Sequence, residues 1–248
     1  MRKTIAALVF LLLPGIVGAA GAGVKLMDAN VDLNDKASLQ HGAKLFVNYC
    51  LSCHSARMMR YNRMGKDLGL TDEQVQENLM FASEKVGELM TVAMRVGDAK
   101  RWFGVPPPDL SLIARSRSED WLFTYMLSFY KDDNPARPFG VNNLVFRDVA
   151  MPHVLGPLQG YQVPVYEEHE GKDGKKVKTI KGLELRELGS MTPDDYEGAV
   201  RDLVAFLVYV GEPAKLVRYK IGTWVLLFLG IFIVITYLLK KEYWKDVH

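Results

Sequence analysis

Cys50-Leu51-Ser52-Cys53-His54 is the stretch of this 248-residue chain that decides its fold. It contains both cysteines of the chain, separated by two residues, and a histidine follows directly. This C-x-x-C-H pattern is the attachment signature of c-type haem. The spacing lets two thiols add to the vinyl groups on one porphyrin edge and places the next residue under the iron. We therefore predict one covalent haem c, bound through Cys50 and Cys53, with His54 as an axial ligand.

Three other interpretations of the cysteine pair are weaker. A thioredoxin-like C-x-x-C requires a βαβ context, whereas the residues before Cys50 have a helical pattern. A structural zinc site requires four ligands, and the sequence has no second cysteine pair. A plain disulfide leaves His54 without a role.

The composition indicates a folded chain, with 49% apolar and 24% charged residues. A net charge of +2 is too even to indicate a nucleic-acid-binding protein. The lysines within residues 172–181 are interpreted as a solvated loop.

The N-terminus has the pattern of a secretory signal peptide. Arg2 and Lys3 precede an apolar run at residues 5–13, and the small residues 17–19 offer a cleavage site. The run is too short to span a bilayer, which takes about 20 apolar residues. We expect residues 1–19 to be a signal peptide, with an uncleaved anchor as the alternative. Export fits the haem interpretation, since c-type haem is attached outside the cytoplasm.

The C-terminus has the pattern of a membrane anchor. Residues 221–239 carry no charge, and as a helix they would be about 28 Å long, close to the hydrocarbon thickness. Lysines flank the run on both sides, so the export signal must set the orientation. We expect residues 20–213 to form a periplasmic haem domain, 214–240 the transmembrane anchor and 241–248 a cytoplasmic tail.

Helical periodicity predicts two helices near the haem motif. The first spans residues 36–49 and runs directly into Cys50. The second begins after Thr71, with Gln74 completing a capping box. Its apolar face is expected to comprise Val75, Leu79, Val86, Leu89 and Met90.

Two further helices are predicted towards the C-terminal end of the domain. One covers Glu119 to Tyr130, and the last begins after Thr192, with Pro193 in the first helical position. Gly42 on the first helix would allow the last helix to cross it closely, with an aromatic such as Phe206 alongside. Packed helices without that crossing are the alternative.

The rest of the domain is expected to be irregular. Residues 105–111 contain three consecutive prolines and cannot be helical. No sustained helix is predicted between about 131 and 189, but residues 162–168 and 176–180 can form a hairpin. The predicted fold is therefore mainly α: a cytochrome c-like haem domain with long loop insertions, plus one C-terminal transmembrane helix.

A second axial ligand must come from elsewhere in the chain. Met151 lies in a proline-flanked loop, which suits a thioether ligand because its weak bond to iron needs a fixed geometry. His153 is the other candidate. The remaining histidines are placed less favourably: His41, His169 and His248.

These residues together resemble the cytochrome c1 family, the membrane-anchored haem subunits of ubiquinol–cytochrome c reductase, in a bacterial form. The resemblance runs from about Leu39 to the C-terminus. It is carried by the following segments: Cys50–His54, Arg60–Arg63, Pro107–Ser111, Asp148–Pro152 and the final helix with its tail anchor.

The resemblance implies roles for individual residues. Met151 matches the axial methionine, so the iron ligands of the single haem c would be His54 and Met151. Arg117 matches an arginine that pairs with a haem propionate, with Arg115 as a competitor. Pro108 belongs to a segment that lines the haem edge.

The resemblance also implies the function. The chain would pass one electron from the Rieske iron–sulfur protein to a soluble cytochrome c, beside a cytochrome b subunit in a bacterial inner membrane. Trp121 replaces a tyrosine of mitochondrial relatives, and the acidic surface of those relatives is not matched here. Two alternatives remain: a tethered cytochrome that serves a terminal oxidase or nitrogen-oxide reductase, and a haem-based sensor with an open sixth site.

Overall fold

The computed structural model describes residues 24–92, 94–170 and 176–245. The elements of the domain, in chain order, are α1 (Lys36–Leu45), a π-helical turn (Phe46–Cys50), β1 (Ala56–Arg60), α2 (Tyr61–Leu68), α3 (Asp72–Leu79), β2 (Leu89–Met90), α4 (Val96–Phe103), α5 (Ile113–Arg117), α6 (Glu119–Leu127), β3 (Phe129–Lys131), β4 (Val141–Asn143), α7 (Gly156–Gln159), β5 (Gly160–Glu170), β6 (Lys176–Leu188) and α8 (Pro193–Gly211). Helix α9 (Lys215–Tyr243) follows. The strands in this described part form only two-stranded pairs, which confirms the mainly α fold.

The predicted crossing of the first and last domain helices is confirmed. A Cβ atom on Gly42 of α1 would clash with the backbone carbonyl of Asp202 on α8 and lie 2.8 Å from the Cβ of Phe206. The rings of Phe46 and Phe206 pack with their centroids 5.5 Å apart. The absence of a side chain at Gly42 therefore sets the distance between the two helices, which both contribute to the buried core.

Capping residues begin the helices as the sequence indicates. Thr71 and Gln74 form the predicted capping box at α3. The Thr192 hydroxyl accepts from the Asp195 backbone N–H at 3.2 Å, and Pro193 occupies the first position of α8. Each cap satisfies backbone donors that the first helical turn leaves unpaired.

The predicted length of the second helix is wrong. Helix α3 ends at Leu79, and the expected apolar positions Val86, Leu89 and Met90 lie outside it. Leu89 and Met90 instead form β2, which pairs antiparallel with β1 directly after the haem motif. These apolar residues have helical spacing in the sequence, but two of them adopt a strand because their backbone pairs with β1.

Four helices were not predicted: α2, α4 and the short helices α5 and α7. Helix α2 buries Tyr61, Met64, Gly65 and Leu68, a helical spacing that is visible in the sequence, and Gly69 ends it with a φ of +80°. Helix α4 buries Ala99 alone. Its sequence therefore lacks the apolar stripe that reveals an amphipathic helix.

The region between α6 and α8 has the predicted hairpin in a longer form. Strands β5 and β6 pair antiparallel from Gly160 opposite Leu188 to Glu170 opposite Lys176. The residues between the two strands, 171–175, lie outside the described residues. Helix α6 ends at Leu127, earlier than the predicted Tyr130, because Phe129–Lys131 pairs with Val141–Asn143.

Helix α9 covers the predicted membrane span. Among the described residues it is the one helix long and apolar enough to cross a bilayer, with a mean hydropathy of 2.4. Its large apolar side chains are exposed along the helix. The predicted signal peptide at 1–19 and the last tail residues, 246–248, lie outside the described part of the chain.

Candidate haem site

One apolar cavity of about 320 Å³ brings most of the predicted site residues together. This volume is typical of a site that encloses a ligand or cofactor. The predicted residues that line the cavity are Cys50, Cys53, His54, Pro108, Arg117 and Met151. Apolar side chains of α5, α6 and α8 complete the wall: Ile113, Leu122, Met126 and Leu207.

The haem motif occupies a tight turn at the end of α1. The backbone N–H groups of Cys53 and His54 both donate to the Cys50 carbonyl, at 3.0 and 2.8 Å. Burial raises the pKa of the Cys50 thiol to about 12, so the free thiol is protonated. The turn holds both cysteines at the same cavity wall.

The His54 ring is oriented by the proline segment. Its Nδ1 lies 2.7 Å from the carbonyl oxygen of Pro108. Because a carbonyl can only accept, Nδ1 carries the proton and Nε2 is left with a free lone pair. Burial lowers the pKa of the imidazole, which keeps it neutral. A neutral histidine with its second nitrogen bonded to a carbonyl is the usual form of a metal ligand.

The proline segment is itself fixed to the strand after the motif. The Leu110 N–H donates to the Ser55 carbonyl at 2.8 Å, and the Arg57 N–H donates to Asp109 at 3.0 Å. These bonds hold the Pro108 carbonyl beside His54. The sequence predicted a rigid apolar wall here but not the acceptor role of Pro108.

Met151 lines the cavity with its sulfur held by a tyrosine. The Tyr125 hydroxyl donates to the Met151 Sδ at 3.4 Å. Burial raises the pKa of Tyr125, so the hydroxyl stays protonated and remains a donor. Its ring stacks on Trp121 with centroids 5.0 Å apart. The sulfur keeps a second lone pair that can bind a metal.

The loop that carries Met151 is built on two buried asparagines. The Asn143 Oδ1 accepts from the backbone of Val145 and Phe146, at 2.9 and 3.1 Å, and the Asn142 Oδ1 accepts from the Asp148 N–H at 2.9 Å. Neither asparagine was predicted as a site residue. Their only signal in the sequence is two adjacent amides after Val141.

An arginine connects this loop to the preceding one. Arg137 contacts the carboxylates of both Asp132 and Asp148, and its side chain is only 18% exposed. Asp148 has a φ of +61°, a left-handed conformation that costs a non-glycine residue free energy. The contacts of Arg137 and Asn142 offset that cost and fix the chain three residues before Met151.

The other ligand candidates have different partners. The His153 Nε2 lies 2.8 Å from Gln159 Oε1, and its ring stacks on Phe129 at 4.8 Å. Burial lowers the pKa of His153 to about 4. His41 is exposed and contacts Asp202. His169 lies on the hairpin near Glu167, at 3.7 Å, and His248 lies outside the described residues.

The two arginines differ in their position. Arg117 lines the cavity, and its guanidinium carbon lies 5.3 Å from the Trp121 ring. Arg115 points away from the cavity towards Glu212, at 3.8 Å, and its side chain is 61% exposed. The placement therefore favours Arg117 over Arg115 as the partner of an anionic group in the cavity.

Comparison with known proteins supports the interpretation of this site. The model of the Cytochrome C1 family matches residues 27–247. The chain belongs to the cytochrome c1 family. Family membership implies a c-type haem and a role in respiratory electron transport, as the redox subunit of a bc1-type complex. Together with α9, it indicates a membrane-anchored protein.

Three relatives illustrate the range of the family match. The chain is 54% identical over 248 residues to the cytochrome c1 of Allochromatium vinosum, with 100% of both chains covered. It is 47% identical to the ammonia monooxygenase gamma subunit of Nitrosomonas europaea, with 97% of each covered. It is 27% identical to the cytochrome b/c1 of Bradyrhizobium diazoefficiens, with 86% of this chain and 34% of that protein covered.

Proposed function

We propose that Cys50 and Cys53 bind haem c through thioether bonds, with His54 and Met151 as its axial ligands. The observation that supports this most strongly is that all four residues line one apolar cavity. When bound, haem c supplies reversible one-electron exchange at its iron. The His54 Nδ1 donates to the Pro108 carbonyl, which leaves Nε2 available to the iron. The Met151 sulfur accepts from the Tyr125 hydroxyl and keeps a second lone pair for the iron.

The surrounding residues orient the ligands and control the site's polarity. The Pro108 carbonyl fixes the His54 tautomer, and Tyr125 positions the Met151 sulfur. The apolar walls exclude water and, together with methionine ligation, favour the less charged ferrous state, which raises the reduction potential. Arg117 neutralises a haem propionate, which would be costly to bury unpaired.

In this proposal the chain accepts one electron from the Rieske iron–sulfur protein and passes it to a soluble cytochrome c. The haem domain lies on the periplasmic side of a bacterial inner membrane, and α9 packs beside a cytochrome b subunit. The name of the Bradyrhizobium relative, cytochrome b/c1, supports that neighbour. In a purified complex, quinol should reduce the haem only when the Rieske protein is present.

Covalent attachment is tested by denaturing the protein. Wild-type chain should keep its haem on a denaturing gel, and the Cys50→Ser/Cys53→Ser double variant should lose it. Ser52→Ala, at an exposed position inside the same motif, is the matched control and should keep it. A double variant that retains haem after denaturation would overturn the thioether assignment.

A second candidate is a tethered cytochrome that serves another membrane oxidoreductase. The name of the Nitrosomonas relative, ammonia monooxygenase gamma subunit, is the observation that favours it. Purification through the chain itself distinguishes the two functions. The main proposal requires a cytochrome b and an iron–sulfur spectrum in the purified assembly, and the second requires a different oxidoreductase without them.

A further inference from the structure

Helix α4 carries exposed cations and ends at the cavity. Arg95 lies just before this helix, and Lys100 and Arg101 lie on its surface. The last residue of the helix, Phe103, lines the cavity. The only carboxylate on α4 is Asp98, 3.5 Å from Arg101, whose side chain is 76% exposed.

One more exposed cation lies beside the cavity on another segment. Arg147 directly follows Phe146, a lining residue that is 45% exposed. We name the set of these cations the basic rim: Arg95, Lys100, Arg101 and Arg147. Within the described parts of the chain, Arg101 alone among them forms an ion pair.

Apolar side chains lie among these cations. Val96 and Trp102 of α4 are 62% and 60% exposed, and Val105, which lines the cavity, is 57% exposed. An exposed tryptophan and arginines around an apolar centre are typical of protein interfaces, where a few aromatic and arginine residues supply most of the binding energy. We name Val96, Trp102 and Val105 the apolar centre.

Building on the proposed electron-transfer function, we propose that the basic rim and its apolar centre dock a soluble electron acceptor with an acidic face. An acceptor must come close to the cavity to exchange an electron, and this surface borders the cavity. Positive charge around the contact attracts a partner of negative charge and accelerates its association. The sign is opposite to that of the acidic surface in the mitochondrial relatives, which this sequence does not match.

The proposal is tested in the purified complex by reversing charges on α4. Oxidation of the pre-reduced haem is followed by stopped flow with two probes: a soluble cytochrome c of net negative charge and one of net positive charge. With the acidic probe, the Lys100→Glu/Arg101→Glu variant should react about ten-fold or more slowly at low salt. The wild-type rate with that probe should fall steeply as salt rises, because screening shortens the range of the attraction.

The hairpin supplies a matched control. Lys176 and Lys178 are 78% and 67% exposed and lie near Glu168. Lys176→Glu/Lys178→Glu makes the same charge change and should leave both rates within about two-fold, since these lysines are not part of the rim. Trp102→Ala tests the apolar centre without changing charge and should slow the acidic probe at every salt concentration.

Four outcomes would overturn the docking surface. The first is an unchanged oxidation rate in the Lys100→Glu/Arg101→Glu variant, and the second is a wild-type complex that reacts faster with the positive probe. The third is that the variant slows haem reduction by quinol and not haem oxidation. The fourth is that the variant loses binding to anionic vesicles while its oxidation rates with both probes are unchanged. Failure of the proposed function gives a different result, because quinol would then not reduce the haem in the wild-type complex. The Lys100→Gln/Arg101→Gln variant removes the two charges without reversing them. Its oxidation rate with the acidic probe should lie between those of the wild type and the charge-reversed variant, which would show that the effect follows charge and not misfolding.

Discussion

The two sides of the cavity are built in different ways. On the His54 side, a five-residue motif ends a helix whose position is fixed by a close crossing at Gly42. On the Met151 side, a loop is held by side chains that bond to its backbone, from Asn142, Asn143 and Arg137.

The difference shows where each ligand's rigidity comes from. The His54 side depends mainly on packing of regular helices and on bonds within the motif, with one contact to the proline segment through the Pro108 carbonyl. The Met151 side depends on polar contacts between separate segments. Each such contact contributes a net stabilisation of about 1 kcal/mol to the folded state. The Met151 side should therefore be the one that loosens first when a single contact is removed.

The largest effect is expected from breaking the helix crossing. Gly42→Val would force a side chain into the backbone of Asp202, so α1 and α8 must separate. Such overpacking costs about 1–3 kcal/mol and occasionally more, and it should lower the thermal unfolding midpoint of the haem domain in detergent by several degrees. Gly198→Ala on α8, with nothing within 4 Å of the new Cβ, should leave the midpoint unchanged or raise it slightly. Equal midpoints for both variants would show that the crossing is not tight.

The next effect is expected on the Met151 side alone. Arg137→Gln leaves Asp132 and Asp148 without their shared cation, which should cost about 1–3 kcal/mol of local stability. The reduced protein should then bind carbon monoxide faster than wild type, because the loop opens more often. Arg186→Gln removes an exposed pair with Glu184 on the hairpin and should change nothing. If Arg137→Gln left the carbon monoxide rate unchanged, the loop would not depend on this contact.

A smaller effect is expected from the tyrosine. Tyr125→Phe removes only the hydroxyl that donates to the Met151 sulfur. Because that bond withdraws electron density from the sulfur and disfavours the ferric state, its loss should lower the reduction potential. At about 0.5–1.5 kcal/mol for the bond, the decrease is about 20–65 mV, by the one-electron conversion of 59 mV per ten-fold change. Redox titration measures it, and a raised potential would contradict the assigned role.

The smallest effect is a pH dependence confined to the same loop. Burial alone would raise the pKa of Asp132, but hydrogen bonds from Asn142, Asn134 and Arg137 outweigh it and lower the pKa below its ordinary value of 3.8. A lowered folded-state pKa contributes stability above the unfolded value, and that stability is lost as the pH falls through the folded value. Slow carbon monoxide binding should therefore persist down to about pH 4 and accelerate below it. An acceleration that begins near pH 6 would assign the loss to another group.

The sequence predicted the His54 side well and the Met151 side only by position. The motif, the cap at Thr71 and the Gly42 crossing are local patterns with a direct structural meaning. Tyr125, Asn143 and Arg137 act through the folded arrangement of separate segments, which no local pattern specifies. Helix α4 was not predicted because it buries only Ala99 and therefore has no apolar stripe in its sequence.

The central claim is that the cavity holds a haem c ligated by His54 and Met151. The far-red charge-transfer band between methionine sulfur and ferric iron tests it most directly. Wild-type protein and Met126→Leu, which changes another methionine in the same cavity, should both show the band. Met151→Ala should lose the band and bind carbon monoxide rapidly once reduced. A Met151→Ala protein that keeps the band would contradict the account.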